Sequence, residues 1–237
     1  MTATVGADVE VVDLAVTPLR ELNQRLHDVA RTGEGPRRWR VVNPKGAHAV
    51  ACGLDAELEV EIDGHVGYYC AGMNKVASVL VRGNASTGIA ENMMSGKVVV
   101  EGSVSQSAGA TAHGGLLVVH GDAAARCGIS MKGVDIVVRG SVGHLSAFMA
   151  QTGCLVVCGD AGEALGDSIY EARLYVRGEV AALGADCIEK EMRDEHVAQV
   201  RELLAAAAIT DVDPRDFRRY GSARKLYNFT IDNAGAY

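Results

Sequence analysis

The chain has 237 residues, six cysteines and a formal net charge of -7, a size that suits one large domain or one domain with appendages. The negative charge argues against a nucleic acid or an anionic membrane surface as partner. The sequence lacks both the roughly 18 consecutive apolar residues of a membrane span and the basic start and apolar core of a signal peptide. We therefore expect a cytoplasmic protein with reduced cysteines.

Residues 1–50 are predicted to form a lead-in of strand, helix and strand. The stretch VEVVDLAV favours a strand, and Thr17 is predicted to cap a helix that has Pro18 in its first turn. RTGEGP is expected to end that helix, and RWRVVNPKGAHAVACGL predicts two strands about the turn NPKG. One apolar stripe is expected along the helix, formed by Leu19, Leu22, Leu26 and Val29.

Residues 51–187 are predicted to form a solenoid, because similar stretches such as SVLVRGNA, KVVVEGSV and DIVVRGSV recur. Each contains a glycine after its apolar run, and the period of nineteen residues holds over Gly64, Gly83, Gly102, Gly121, Gly140, Gly159 and Gly178. The apolar residues two and four positions before each glycine are predicted to point inward. The position directly before it is predicted to be solvent-exposed. We expect each glycine to turn the chain with a positive φ.

This pattern predicts a mainly β protein built as a single-stranded parallel β-helix of about seven coils. A third inward column is predicted later in each unit, so a unit should hold two or three short strands, with Met93, Ala112, Met131, Ala150 and Ile169 in that column. Left-handed hexapeptide helices need a period divisible by six. Because nineteen is not, the right-handed form is favoured.

Residues 188–237 are predicted to form a capping helix and a basic, aromatic tail. EKEMRDEHVAQVRELLAAAAI favours a helix that covers the open end of the solenoid, where strand edges are otherwise exposed. The tail either folds back on its own body or docks on another chain. Its candidate docking residues are Phe217, Arg218, Arg219, Tyr220, Arg224, Lys225, Tyr227 and Phe229.

Two columns that lie nine and eleven residues after each glycine form a mostly polar stripe. This polar stripe is a candidate face for binding a partner or lining a tunnel. The alternative is that it is only the solvent-exposed side that every solenoid has. Its residues are Lys75, Asn92, Met94, Thr111, His113, Ser130, Lys132, Gln151 and Tyr170.

Cys158 is a candidate reactive thiol, because its repeat position is predicted to be exposed. Arg139 and Arg177 in the adjacent coils would lower its pKa. The alternative is a solvated ladder of mixed side chains. The spacing of the cysteines predicts no metal site, and no nucleophile–base pair or pair of carboxylates is brought together by the repeat.

Regular glycines after stacked VVVxG strands resemble the GXGXG domain, the C-terminal β-helix of the glutamate synthase large subunit. This domain also occurs in the C subunit of formylmethanofuran dehydrogenase. The stretches YYCAGMNK, AENMMSG, SQSAGATAHGG, GHLSAFMAQTG and FRRYGSARKLYNF are more similar to a stand-alone version, the small β-helix subunit of N-methylglutamate synthase and related complexes. The resemblance covers roughly residues 38–237.

The resemblance implies a scaffold without catalytic, cofactor-binding or metal-binding residues. Its expected partners are a glutamine amidotransferase-like subunit and a synthase-like subunit that carries FMN and an iron–sulfur cluster. Whether the complex transfers ammonia or methylamine, and with what stoichiometry, stays open. The alternatives are a formylmethanofuran dehydrogenase-type C subunit or a stand-alone β-helix enzyme, which would need carboxylates clustered along one stripe.

Overall fold

The computed structural model describes residues 9–225. Within that range the elements follow in the order β1 (Val9–Asp13), α1 (Leu19–Thr32), β2 (Arg38–Val42), β3 (Glu59–Asp63), β4 (Ser78–Val81), β5 (Lys97–Val100), β6 (Leu116–Val119), β7 (Lys132–Val138), β8 (Thr152–Val157), β9 (Arg173–Val176), β10 (Cys187–Lys190), α2 (Asp194–Ala206) and β11 (Arg218–Ser222). A 3₁₀ turn (Pro214–Asp216) precedes β11.

All eleven strands form one sheet, in the order β1 to β9, then β11, then β10. Neighbouring strands are parallel from β1 to β9, and each coil repeats the register of the one before, as where Val98 pairs with Leu117. This confirms a mainly β solenoid of about seven coils. Neither helix in residues 9–225 is both long and apolar enough to cross a bilayer.

The predicted inward columns form the core of the solenoid. Val79, Val98 and Leu117 in successive strands are fully buried, and the third inward column, which includes Met93 and Met131, is buried as well. A single apolar cluster runs from the N-terminal segment through all coils to Tyr220 in β11. The coils therefore stabilise one another by stacking, as expected for a solenoid.

The repeat glycines are required by close packing between coils, and the predicted positive φ is wrong for six of the seven. Only Gly64 among these seven has a positive φ, of 132°. A Cβ atom on Gly121 would lie 2.7 Å from the carbonyl carbon of Gly102, and one on Gly178 would lie 2.5 Å from the carbonyl oxygen of Gly159. Glycine is needed because the backbones of adjacent coils approach too closely for a side chain.

A ladder of side-chain hydrogen bonds joins the coils one residue after each glycine. The backbone N–H of Ser103 donates to Asn84 Oδ1 at 2.9 Å, and the N–H of Asp122 donates to Ser103 Oγ at 3.1 Å. Ser141 and Asp160 continue the pattern at 2.8 and 2.9 Å. These short polar side chains accept a backbone N–H of the following coil, which explains their recurrence at this position.

Each coil has one strand, not the two or three that were predicted. A single-residue parallel bridge follows at the second position after the glycine, as between Val104 and Ala123. Beyond it the chain alternates into the left-handed region, with φ of 61° at Ser107, 66° at Gly109 and 54° at Thr111. Alternating left-handed residues cannot form an extended strand, so this part of the coil is a series of tight turns.

Helix α1 closes the N-terminal end of the solenoid. Its predicted apolar stripe is confirmed, since Leu22 and Leu26 are fully buried in the core. Pro18 takes the N-cap position and no side chain caps the helix, so the prediction for Thr17 is wrong. A left-handed Gly33 ends α1. No second strand follows NPKG, because the residues from 43 to 58 form the turns of the first coil.

Helix α2 is confirmed as a helix, but it does not close the C-terminal end as predicted. It lies on the outward face of the sheet, where Val200 and Leu204 pack with Val137 and Tyr175. Tyr175 Oη donates to Gln199 Oε1 at 2.7 Å. The end of the sheet is instead extended by β11, which pairs antiparallel with β9, and by β10, which pairs antiparallel with β11.

Candidate functional site

The polar stripe is brought together by the stacking of the coils. Thr111 Oγ1 donates to Asn92 Oδ1 at 2.6 Å across adjacent coils. Lys75, His113 and Lys132 are exposed, as expected for an outward column. The stripe ends at Tyr170, and Gln151 occupies the same repeat position one coil earlier. Ser130 has a left-handed φ of 51°, as do Asn92 and Thr111 at the same repeat position in other coils.

The second and third coils also expose apolar side chains on or near this stripe. Tyr68, Met73, Val76 and Met94 are 46–54% exposed. Tyr68 stacks on the ring of His48 with centroids 3.9 Å apart, which holds it outward. Met94 occupies the same repeat position as Lys75, so the polar stripe has an apolar section at its N-terminal end. The sequence prediction included Met94 and missed the others.

A buried asparagine makes this apolar section rigid. Asn74 is fully buried, and its Nδ2 donates to the carbonyl oxygens of Ala77 at 2.8 Å and Ser95 at 3.2 Å. The N–H of Ala77 donates to Asn74 Oδ1 at 3.2 Å. These bonds fix the turn that carries Met73 and its neighbours to the coil that carries Met94.

Cys158 is not exposed, contrary to its predicted position. Its side chain is 6% exposed and lies in the cluster beneath α2 and the segment after it. Burial raises the pKa of its thiol to about 11, which outweighs the lowering by Arg177 and Arg139. Arg139 pairs with Asp211 at 2.7 Å and Arg177 with Asp216 at 3.6 Å. The prediction of a lowered pKa is therefore wrong.

The first part of the predicted docking tail folds back on the chain itself. Phe217 and Tyr220 are 3% and 2% exposed, so their interpretation as partner-docking side chains is wrong. Arg218 and Arg219 belong to β11, while Arg224 and Lys225 are exposed at its end. Tyr227 and Phe229 lie outside the described residues.

A polar pocket of about 240 Å³ lies at the C-terminal end of the solenoid, and sequence reasoning did not find it. The last coil, β10, the start of α2 and β11 all line it, together with Tyr170 of the polar stripe. His196 is 5% exposed, and its Nδ1 accepts the backbone N–H of Arg193 at 3.1 Å. Burial, followed by the charge of Arg219, lowers the pKa of His196 and so favours the neutral imidazole.

The described residues contain no group of three or more His, Cys, Asp or Glu side chains arranged to hold a metal ion. The carboxylates along the sheet are instead engaged with arginines. Arg82 pairs with Glu61 at 2.5 Å and with Glu101 at 2.7 Å, and these pairs join three successive coils.

Comparison with known proteins gives one strong similarity. No protein-family model matches this chain. Protein GlxC of Rhizobium meliloti (strain 1021) is 63% identical over 227 residues, which are 96% of this chain and 99% of that protein. Since the identity is high and spans nearly the whole of both chains, the chain belongs to the family of Protein GlxC.

Proposed function

We propose that this chain is a non-catalytic scaffold subunit of a cytoplasmic glutamate-synthase-like complex of the N-methylglutamate synthase type. In this role it positions a glutamine amidotransferase-like subunit and a synthase-like subunit that carries FMN and an iron–sulfur cluster. The resemblance of residues 38–237 to the stand-alone β-helix subunit supports the type of complex. In this proposal the chain holds the two other subunits in position, and the synthase-like subunit binds FMN and the iron–sulfur cluster.

The observation that carries the scaffold proposal is the exposed apolar section of the polar stripe. Tyr68, Met73, Val76 and Met94 would each bury apolar surface if a partner covered them. Tyrosine and methionine are enriched in the cores of protein interfaces. Because Asn74 fixes the backbone beneath them, little conformational entropy is lost when a partner binds.

The experiment is a pull-down of the tagged full chain from the organism that encodes it. Partners are identified by mass spectrometry, and the eluate is examined for flavin and iron–sulfur absorption. We expect an amidotransferase-like and a synthase-like chain in a coloured complex. The same complex, assayed with ammonia and with methylamine, identifies the amine that it transfers.

Met94→Glu tests the face itself. We expect it to reduce recovery of a partner by about tenfold or more, because a carboxylate would be desolvated in the interface. Val16→Glu is the matched control, since Val16 is 81% exposed and lies in the N-terminal segment, away from the stripe. A colourless eluate without either partner would contradict the scaffold proposal, and equal loss in both variants would contradict the choice of face.

A further inference from the structure

The pocket at the C-terminal end concentrates positive charge in a chain whose net charge is negative. Five of its lining side chains are cationic, and the carboxylates in the lining are those of Glu171 and Glu195. The lining therefore carries an excess of three positive charges. The cations are Arg173, Lys190, Arg193, Arg219 and Arg224.

Three of these cations have no carboxylate within salt-bridge distance among residues 9–225. Arg173 donates to the neutral amide oxygen of Gln199 at 3.0 Å, and Arg219 Nε donates to the backbone carbonyl of Glu191 at 3.0 Å. Lys190 lies near enough to Glu171 for the carboxylate to act on its charge, but Glu171 is paired with Arg224 at 2.9 Å and Glu191 with Arg193 at 2.9 Å. Their charge is therefore available to a ligand.

Two of the three are held directly opposite each other. Lys190 in β10 pairs with Arg219 in the adjacent antiparallel strand β11. Like charges at directly opposed positions destabilise a sheet. Burial lowers the pKa of Lys190, and the charges of Arg219 and Arg224 lower it further. A sequence selected for stability alone would place opposite charges here, and such local conflicts are typical of functional sites.

We propose that this pocket binds a small anion with two negative charges, a short dicarboxylate or inorganic phosphate, through Lys190, Arg219 and Arg173. Guanidinium groups bind carboxylate and phosphate oxygens through paired N–H donors. The pocket volume of about 240 Å³ leaves room for an anion of this size. The anion would neutralise the cross-strand repulsion and stabilise the β10–β11 pair.

Thermal unfolding and titration calorimetry of the full chain test this proposal with inorganic phosphate and succinate as probes. Acetate at matched ionic strength is the monoanion control. We expect saturable heat and a rise in Tm with phosphate or with succinate, and no comparable effect of acetate. The probe with the lower Kd identifies whether phosphate or dicarboxylate is the preferred chemistry.

Lys190→Gln distinguishes a binding site from general attraction. Without ligand, we expect it to raise the Tm, because it removes the repulsion of Arg219. With ligand, we expect the affinity to fall by about tenfold or more, because a charged hydrogen bond is lost. Lys45→Gln makes the same change of net charge at an exposed turn near the N-terminal end. It should leave both the Tm without ligand and the affinity for the anion unchanged.

Arg173→Gln is a second variant at an exposed position, and it should weaken binding to a similar degree if Lys190→Gln does not fold. The proposal is overturned if neither phosphate nor succinate binds saturably, or if Lys45→Gln weakens binding as much as Lys190→Gln. Because the isolated chain is used, the result is independent of the scaffold proposal.

Discussion

The two ends of the solenoid are closed by different kinds of structure. At the N-terminal end, α1 lies against the core, and Asn23 bonds to the backbone of the first coil. Its Nδ2 donates to the carbonyl of Ala49 at 2.9 Å, and its Oδ1 accepts the N–H of Ala51 at 3.0 Å. At the C-terminal end, β11 and β10 extend the sheet with antiparallel backbone pairing.

This difference shows which interactions support each end. The N-terminal closure depends on the parallel pairing of β1 with β2, on the side-chain hydrogen bonds of Asn23 and on the packing of Leu22 and Leu26. The C-terminal closure depends on strand pairing and on Tyr220, the aromatic side chain that β11 adds to the core. In a solenoid each coil contacts only the coils next to it. We therefore expect local unfolding at one end to occur independently of the other end.

The largest expected effect is at the C-terminal end. Tyr220→Ala removes a side chain that is 2% exposed, and we expect it to lower the free energy of unfolding by about 3–5 kcal/mol because a cavity is left in the core. Urea unfolding measures the loss, and hydrogen exchange locates it. Amides of β10 and β11 should lose protection, while those of the first coil keep theirs.

Tyr220→Phe is the control for this prediction, since it keeps the ring and should have a much smaller effect. A loss of less than about 1 kcal/mol for the alanine variant would contradict burial of this side chain. The same burial implies that truncation after Asp211, which removes β11, destabilises the end of the solenoid. It does more than remove a docking tail.

A smaller effect is expected at the N-terminal end. Asn23→Ala leaves the N–H of Ala51 and the carbonyl of Ala49 without their side-chain partner, which should cost about 1–3 kcal/mol. Gln24→Ala is the control, because Gln24 bonds to Asp28 on the exposed side of α1. Hydrogen exchange should increase in the first coil alone. Equal effects of both variants would contradict a specific role for Asn23.

The sequence predicted those features that repeat. The period of nineteen, the inward columns and the polar stripe all follow from which positions are apolar. The solenoid and the polar stripe could therefore be located from the sequence. The repeat could not distinguish two reasons for a glycine. Gly121 is a glycine because the backbone of Gly102 in the preceding coil lies too close for a side chain. That contact exists only in the folded protein.

Features that join different parts of the chain were not predictable from a local pattern. Val118, Val137 and Val156 point outward yet are fully buried, because α2 covers them. Such an outward apolar column was the available signal that some segment packs on this face. The basic pocket was missed because Arg173, Lys190 and Arg219 are distant in sequence and meet only through the pairing of β10 and β11.

The smallest expected effect is a difference in modification rate between two thiols, one near each end of the solenoid. Cys52, near the N-terminal end, is partly exposed, and His27 contacts its backbone carbonyl. Cys187, in β10, is 6% exposed, and burial, followed by the charge of Asp186, raises the pKa of its thiol from 9.0 to about 12. At pH 8 we expect iodoacetamide to modify Cys52 first, with the rate at each cysteine measured by peptide mass spectrometry.

The raised pKa of Cys187 also predicts how its protection depends on pH. The folded state favours the protonated thiol, so its contribution to stability is present below pH 9 and is lost as the pH rises toward 12. Modification of Cys187 should therefore accelerate steeply above pH 9. If the ends open independently, Tyr220→Ala accelerates modification of Cys187 but not Cys52, and Asn23→Ala does the reverse. Acceleration of both thiols by either variant would mean that the stacked coils couple the two closures through the whole length of the solenoid.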